Sequence, residues 1–153
     1  GAVCIECAHE ADADTLLALQ RRAYASEARL YDDWTIPPLT QDLASLRAEI
    51  ATLTFLKAST DGAIVGSVRA RVVDGCAQVG RLIVDPPRQR HGIGSALLRA
   101  IEAALPDAAR FELFAHHSTP QTFGIHGRSR LAGCSPSRGI FTVLHTAEVK
   151  TDF

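Results

Sequence analysis

The residues best suited to chemistry form a basic loop with two glycines, Arg88 to Gly94, which reads Arg-Gln-Arg-His-Gly-Ile-Gly. It follows an apolar, β-branched run, Leu82 to Val84, which Asp85-Pro86-Pro87 ends because proline cannot donate to a strand ladder. Ile93 then begins an amphipathic helical stripe. The first N–H groups of a helix have no helical partner, and the helix dipole attracts negative charge there. The pattern therefore predicts a binding site for an anion.

The anion predicted for this loop is a compact phosphorylated ligand. The loop lacks the Lys-Ser/Thr pair of a nucleotide-binding P-loop, and Leu97 occupies the place of the third glycine in a dinucleotide fingerprint. Two arginines and a histidine concentrate positive charge, while Gly92 and Gly94 let a bulky group approach the backbone. The alternative is an ordinary connection from strand to helix whose glycines serve flexibility alone.

Composition limits the class of protein. With 153 residues, of which 46% are hydrophobic, the chain is predicted to form one domain, residues 1–153, with one core. The formal net charge of -1 gives no basic field, so nucleic acid is not expected as a partner. No apolar run reaches the roughly 18 residues of a membrane span. The acidic flank at the N-terminus is unlike a signal peptide, and a cytoplasmic location is predicted.

Cysteines and histidines do not predict a metal site. Cys4 and Cys7 have the spacing of a zinc or redox motif, but residues three apart on a strand point to opposite faces. His9 is the single nearby partner, so reduced thiols are expected. The adjacent His116 and His117 lack a third ligand.

The elements that must position the loop follow from hydrophobic periodicity. A first strand, a helix capped by Asp12 or Asp14 and a second helix capped by Thr40 are predicted before a three-stranded antiparallel meander. Asp-Gly pairs between apolar runs predict the two hairpin turns. The predicted ranges are Val3–Cys7 for the first strand, a helix running to about Tyr24, a helix end and an aromatic functional loop within Ser26 to Pro38, a helical stripe over Leu39–Leu53, and strands at Phe55–Ser59, Ile64–Val73 and Cys76–Val84.

After the loop, the chain is predicted to cross over the sheet. The helix from Ile93 ends near Pro106, and Phe111–Ala115 reads as a strand parallel to the preceding one. A short helix over Gln121–Arg130 and a last strand over Gly139–His145 complete the order β-α-α-β-β-β-α-β-α-β. The predicted fold class is α/β (α+β), a single domain with one mixed sheet.

The loop and its context resemble a known superfamily. Val84-Asp85-Pro86 followed by the segment from Gln89 to Gly94 resembles the acetyl-coenzyme A (acetyl-CoA) motif of the GCN5-related N-acetyltransferases (GNAT), which is Gln or Arg, two residues, Gly, one residue, and Gly or Ala. The order of elements is also similar along nearly the whole chain, most strongly from Phe55 to Ala115, and small bacterial members are the most similar. The resemblance implies a mixed sheet whose central strands splay apart around acetyl-CoA.

The resemblance also implies which residues hold the cofactor. Backbone groups of the strand would bind the pantetheine arm and the acetyl carbonyl, those of the loop would bind the pyrophosphate, and an arginine would reach the ribose phosphate. The cofactor-binding residues implied in this way are Leu82, Ile83, Val84, Arg88, Gln89, Arg90, His91, Gly92, Ile93, Gly94 and Ser95.

The activity implied by the resemblance is direct acetyl transfer to a primary amine of a small molecule, amino acid or peptide. The family commonly has a Tyr acid four residues after an Asn, whereas this chain has His126 four residues after Thr122. His126 is the candidate acid, with an exposed helix histidine as the alternative, and Glu27 is the candidate base, with Asp85 the other carboxylate considered. The loop with Tyr31 and Trp34 would line the acceptor site.

Two questions stay open at the level of the sequence. The altered Thr122–His126 segment also fits a catalytically weak acyl-CoA-binding or sensing domain. Family members often form dimers, and the residues do not decide between a monomer and a homodimer.

Overall fold

The computed structural model describes residues 2–32, 34–89, 91–115 and 141–145. Across these ranges the chain forms one mixed sheet whose six strands lie in sequence order. Helices cover both faces of the sheet, as expected for a domain built from packed layers. No helix in this described part is long and apolar enough to cross a membrane.

The order of helices and strands largely follows the order predicted from the hydrophobic periodicity of the sequence. Two short 3-10 turns, Glu10–Asp12 and Pro86–Arg88, precede helices of the fold. The helices and strands in chain order are β1 (Cys4–Cys7), α1 (Ala13–Tyr31), α2 (Pro37–Thr40), α3 (Leu43–Thr52), β2 (Thr54–Thr60), β3 (Ala63–Val73), β4 (Cys76–Val84), α4 (Ile93–Ala104), β5 (Arg110–Ala115) and β6 (Phe141–His145).

The predicted antiparallel meander is confirmed. Strands β1 to β4 pair antiparallel, and both hairpins turn at an Asp-Gly pair. Asp61 and Gly62 have φ of 51° and 79°, and Asp74 and Gly75 have φ of 51° and 76°. Two consecutive positive φ angles are the signature of a type I′ turn, which matches the twist of the strands it joins. The parallel crossover from β4 through α4 to β5 is also confirmed.

The first two helical regions differ from the prediction. Helix α1 continues past Tyr24 to Tyr31, because Ala28 keeps its apolar face buried, and it ends where Asp32 turns left-handed at φ 51°. The stretch from Ser26, predicted as a helix end followed by a loop, is therefore helical as far as Tyr31. Pro37 stands at the start of the short helix α2, where proline is tolerated because its missing N–H would have no partner.

The cap of the next helix was also predicted at the wrong residue. Helix α3 starts at Leu43, and Asp42 rather than Thr40 caps it by accepting from the Ser45 N–H at 2.8 Å. The last strand, β6, lies within the predicted range and pairs parallel with β5. The predicted helix over 121–130 and the histidines 116 and 117 lie outside the described residues.

Helix α4 packs against the sheet through its apolar stripe. Leu97, Leu98 and Ile101 are fully buried and share one core cluster with β2 to β5. The opposite face of the sheet is covered by α1 and α3, with Leu16 and Leu46 buried against Phe55. The basic loop thus lies between a buried strand and a well-anchored helix.

We expect Gly66→Ala to destabilise the fold, because α4 approaches β3 closely at this glycine. A Cβ there would lie 2.9 Å from the Ile83 carbonyl oxygen and 3.1 Å from Leu97 Cδ1. Overpacking of this kind costs about 1–3 kcal/mol. Urea unfolding of both proteins measures the loss.

Gly94→Ala is the control for Gly66→Ala. Its Cβ would meet side-chain atoms of Val84 and Leu82 at 3.8 and 3.9 Å, which is ordinary contact. In a helix, alanine is also more favourable than glycine by roughly 1 kcal/mol. Equal stability of the two variants would contradict the close packing of α4 on β3.

Asp12 joins the start of α1 to strand β2. Its Oδ2 accepts from Lys57 Nζ at 2.8 Å and from the His9 N–H at 2.8 Å. Burial raises the pKa of Asp12, but the hydrogen bonds from Lys57 and His9 outweigh it, so that this pKa lies below its usual range. The unfolded chain therefore binds the proton first as the pH falls. The stability that Asp12 contributes is complete above about pH 4 and is lost as the pH falls through the lowered pKa.

Asp12→Asn is expected to lower the free energy of unfolding at pH 7 by about 1 kcal/mol. It should also flatten the dependence of stability on pH below about pH 4. Urea unfolding between pH 2 and 7 measures both effects. The exposed Asp14 supplies the control, since Asp14→Asn should keep the wild-type acid dependence. The same acid dependence in Asp12→Asn and wild type would refute this role of Asp12.

Candidate functional site: a cleft between β4 and the start of α4

A β-bulge bends strand β4 in its middle. Arg69 pairs with Gly80 and Ser67 pairs with Ile83, so that two residues of β4 lie opposite Val68 alone. The first of these two, Arg81, has a positive φ of 50°. A bulge of this kind twists the strand locally and redirects the residues that follow it. Here those residues are Leu82 to Val84.

Pairing between β4 and β5 ends just before the bulge. The parallel register runs from Cys76 opposite Arg110 to Val79 opposite Leu113 and stops there, although both strands continue. The predicted splay of the central strands is therefore present in this part of the chain. It leaves the β5-facing edge of β4 after Val79 without a ladder to β5, so a ligand can use backbone groups there.

The start of α4 lies at the same end of β4. Gly92 is the N-cap residue, with φ 81° and ψ 4°, and the first helical bond runs from the Ala96 N–H to the Gly92 carbonyl at 3.0 Å. The N–H groups of Ile93, Gly94 and Ser95 thus precede the helical ladder, as at any helix start. A Cβ on Gly92 would meet nothing within 4 Å among the described residues, so the backbone is open to an approaching group.

Gln89 makes two hydrogen bonds within the protein. Its side-chain Nε2 donates to the Val84 carbonyl at 3.2 Å, and its N–H donates to the Pro86 carbonyl at 3.4 Å. The residue therefore ties the loop back to the end of β4. The Arg88 N–H similarly donates to the Asp85 carbonyl at 2.7 Å. The N–H groups from Gly92 onward are better placed to bind an anion.

The remaining implied cofactor residues divide by burial. Leu82, Ile83 and Ile93 are buried in the core and can offer a ligand only their backbone groups. Arg88 and His91 have exposed side chains beside the helix start, where the positive charge of Arg88 adds to that of the helix dipole. Arg90 lies outside the described residues. The arrangement can bind a phosphorylated ligand whose uncharged arm runs along the bulged strand.

The candidate acceptor residues lie on or after helix α1. Glu27 and Tyr31 belong to its last turns rather than to a loop, and Trp34 follows it with half of its surface exposed. Arg22, in the middle of α1, binds Asp85 with Nε and Nη2 each 3.4 Å from a carboxylate oxygen. This contact ties α1 to the end of β4 and engages the Asp85 carboxylate with a cation. His126 lies outside the described residues.

A buried polar cluster, which we call the Gln41 hub, lies between the sheet and α1–α3. Gln41 Oε1 accepts from Arg81 Nη1 at 2.5 Å, from Gln20 Nε2 at 3.0 Å and from Arg69 Nη1 at 3.4 Å. Gln41 Nε2 donates to Glu49. One amide therefore joins α1, α3, β3 and β4.

Arg69 carries a charge at the centre of the Gln41 hub. It is 1% exposed, and it donates to Glu49 at 2.5 Å and to Gln20 at 2.6 Å, with its guanidinium 4.4 Å from the centre of the Phe55 ring. Burial and the nearby charge of Arg81 lower the pKa of Arg69 to about 10, although Glu49 acts to raise it. Two arginines share this buried space.

The Gln41 hub was not predicted from the sequence. A usable signal exists, because Arg81 interrupts the otherwise apolar run from Val79 to Val84, and buried arginines are rare unless they are paired. Among the described residues, no group of three His, Cys, Asp or Glu side chains can hold a metal ion. Cys4 and Cys7 are both exposed free thiols.

Comparisons with known proteins agree with this geometry. The family model described as the acetyltransferase (GNAT) family matches residues 14–125. No curated protein matches this chain in sequence. Solved structures with a similar fold include the PaiA N-acetyltransferase of Thermoplasma acidophilum in complex with coenzyme A, with a TM-score of 0.66, 20% identity and coverage of 78% of this chain and 83% of that chain.

Two further structures are similar in the same way. The ribosomal-protein-S18-alanine N-acetyltransferase of Escherichia coli has a TM-score of 0.63 and 19% identity over 78% of this chain and 70% of that chain. A GNAT family acetyltransferase of Brucella melitensis in complex with acetyl-CoA has a TM-score of 0.59 and 22% identity over 80% of this chain and 82% of that chain. At these identities the similarity shows a shared fold.

Proposed function

The chain belongs to the GNAT family of acetyltransferases, and on this basis we propose that it transfers the acetyl group of acetyl-CoA to a primary amine. The observation that carries the proposal is the end of β4–β5 pairing at Val79 beside the start of α4. This cleft offers strand backbone to an extended arm and helix N–H groups to a pyrophosphate. The described residues therefore fit coenzyme A.

In the proposed reaction, acetyl-CoA supplies an acetyl thioester and the protein positions it. The N–H groups from Gly92 to Ser95 hold the pyrophosphate, and backbone groups of Leu82 to Val84 bind the pantetheine arm. A strand N–H beside Ile83, on the edge of β4 that faces β5, donates to the acetyl oxygen and stabilises the charge that develops on it. The amine attacks directly, so that a C–N bond forms as the C–S bond breaks.

Two proton transfers complete the proposed reaction. The amine must lose a proton before or during attack, and we assign Glu27 as the base. The sulfur that leaves takes up a proton, and His126 is the proposed donor because imidazole titrates near neutral pH. Tyr31 and Trp34 would contact the acceptor, which we propose is a small molecule, an amino acid or a peptide amine. The cytoplasmic location and the single domain over residues 1–153 stay predictions from the sequence.

Incubation with acetyl-CoA and a broad panel of amines tests the proposed function. Free thiol and acetylated amine should appear in equal amounts. Binding of acetyl-CoA without transfer to any amine would favour the alternative, a catalytically weak acyl-CoA-binding or sensing domain. If the protein neither binds acetyl-CoA nor transfers its acetyl group, both functions are contradicted. Similar solved structures include a transferase for the alanine of a ribosomal protein, so the panel includes peptides with free N-termini.

A further inference from the structure

Arg81 has an unusual backbone conformation for its place in the fold. Four non-glycine residues in the described part of the chain have positive φ: Asp32, Asp61, Asp74 and Arg81. The three aspartates lie in turns or at a helix end, where this residue type tolerates the left-handed region. Arg81 lies inside a strand, where its Cβ crowds the backbone at positive φ and its side chain lacks the local hydrogen bonds that a short polar residue can make. Other contacts must therefore hold it.

The side chain of Arg81 supplies such a contact. It is 4% exposed, and its Nη1 lies 2.5 Å from Gln41 Oε1. Gln41 is itself fixed, because its N–H donates to the Pro37 carbonyl at 3.0 Å and its own carbonyl accepts from Arg21 at 3.4 Å. Its amide also donates to Ser45 at 3.1 Å. Arg81 is therefore anchored to a residue that α1, α2 and α3 hold in place.

The segment after Arg81 is paired in the sheet on one side only. Strand β3 holds it on one side through the pairs of Ser67 with Ile83 and of Gly66 with Val84. On the other side its ladder to β5 has ended at Val79. The direction of Leu82 to Val84 thus depends on the bulge, and the bulge depends on Arg81.

We propose that Arg81 is a positioning residue: anchored to Gln41, it holds the bulged strand in the geometry that orients the acetyl group of acetyl-CoA. This inference rests on the proposed function and assigns a new residue to it. Arg81 also connects the sites proposed for the two substrates, because helix α1, which carries Glu27 and Tyr31, contacts Gln41 through Gln20 and Arg21. The pyrophosphate is proposed to bind at the start of α4, from Gly92 to Ser95, so the part of the binding energy that it supplies should not depend on Arg81.

Binding measurements on Arg81→Gln test the role without any acceptor. Calorimetry gives the ratio of the affinity for acetyl-CoA to the affinity for coenzyme A, and this ratio measures what the acetyl group adds to binding. We expect the affinity for coenzyme A to fall less than the affinity for acetyl-CoA, so that the preference for acetyl-CoA is lost. With an amine acceptor, kcat should fall by about 10–100-fold, as misplacement of about 1 Å does in other enzymes, and KM for acetyl-CoA should change much less.

Arg71→Gln is the matched control. Arg71 lies two residues after Arg69 on the same strand and binds Gln78 at 2.8 Å, toward the hairpin at the far end of β4. The same substitution there should leave the affinity ratio and kcat at wild-type values. Arg81→Lys, which keeps the charge and a donor, should recover part of the loss.

Arg81→Gly separates anchoring from backbone strain. Glycine adopts positive φ freely, so this variant permits the bulge but removes the anchor. We expect it to lose the acetyl-CoA preference as fully as Arg81→Gln does. Gln41→Asn shortens the side chain that anchors Arg81 by one methylene and should reproduce the effect. When Gln41→Asn is combined with Arg81→Gln, the two losses of acetyl-CoA preference should not multiply. Gln41→Asn and Arg81→Lys also keep the test available if Arg81→Gln does not fold.

Clear results would overturn the inference. It is contradicted if Arg81→Gly keeps the wild-type affinity ratio, or if the losses caused by Gln41→Asn and Arg81→Gln multiply fully in the double variant. It is also contradicted if the wild-type protein binds coenzyme A and acetyl-CoA equally well. If the wild-type protein transfers acetyl to no amine but prefers acetyl-CoA, and the variants lose that preference, the proposed function fails while the role of Arg81 stands. If the wild-type protein turns over and the variants keep an unchanged ratio, the proposed function stands while the role of Arg81 fails.

Discussion

Gly92→Asp is expected to weaken coenzyme A binding by about 100-fold or more, which corresponds to roughly 2.7 kcal/mol. Gly92 begins α4 with φ 81° and faces open space, where the pyrophosphate is proposed to bind. An aspartate there brings a negative charge close to that of the ligand. Two unit charges about 4 Å apart near a protein surface interact by about 4 kcal/mol before salt screening. Calorimetric titration measures the loss.

Gly92→Asn isolates the charge in this experiment. Asparagine has nearly the same size and shape as aspartate, and both residue types tolerate positive φ. The chain itself uses aspartate at φ 51° in three places, so the substitution should keep the fold. We expect Gly92→Asn to bind coenzyme A at least about 10-fold more tightly than Gly92→Asp. Equal binding by the two variants would show that the pyrophosphate lies elsewhere.

Arg69→Met is expected to lower the free energy of unfolding by about 3–5 kcal/mol, as loss of one partner of a buried ion pair does elsewhere. Arg69 is 1% exposed, and its removal takes the donors from Glu49 and from the buried Gln20. It also leaves Arg81 with altered neighbours in the Gln41 hub. The midpoint of thermal unfolding should fall by roughly 2–4 °C for each kcal/mol.

Arg71→Met is the control for the size of the effect. Arg71 lies on the same strand and is only partly buried, so this substitution should cost less than about 1 kcal/mol. Adding Glu49→Gln to Arg69→Met should recover about 1 kcal/mol or more, because a neutral amide no longer needs the missing cation. Equal stability of Arg69→Met and Arg71→Met would contradict the central place of Arg69.

Local sequence signals were sufficient for the part of the fold that builds the cofactor cleft. Asp61-Gly62 and Asp74-Gly75 predict both hairpins because few other pairs allow two consecutive positive φ angles. The stripe from Ile93 predicts α4 because its apolar face needs the sheet. The GNAT motif predicts the splay of β4 from β5, which spacing alone does not contain.

Features that depend on tertiary contacts could not be predicted in the same way. Helix α1 passes through Ser26 to Tyr31 because Ala28 is buried against the core, and this outweighs the polar residues around it. The bulge at Arg81 has no glycine to mark it, since a side-chain anchor from a distant residue holds it. Gln89 matches the motif, yet its hydrogen bond to Val84 gives it a structural place that the motif cannot reveal.

The Gln41 hub shows the same limit for polar residues. Gln20 lies 21 residues before Gln41 and Glu49 lies 8 residues after it, and each alone reads as an ordinary helix or loop residue. Their contacts with Arg69 arise only when α1 and α3 cover one face of the sheet. A polar residue inside an apolar strand, such as Arg69 or Arg81, is a local sign that the face opposite α4 is not purely hydrophobic.

A crystal structure of the protein with coenzyme A bound tests the central claim, the cofactor site between β4 and α4, most directly. We predict the pyrophosphate oxygens at about 3 Å from the N–H groups of Gly92 to Ser95, and the pantetheine arm beside Leu82 to Val84, where pairing with β5 has ended. The thiol should lie between β4 and β5. A coenzyme bound on another surface, or β5 paired with β4 through Val84, would contradict this cofactor site.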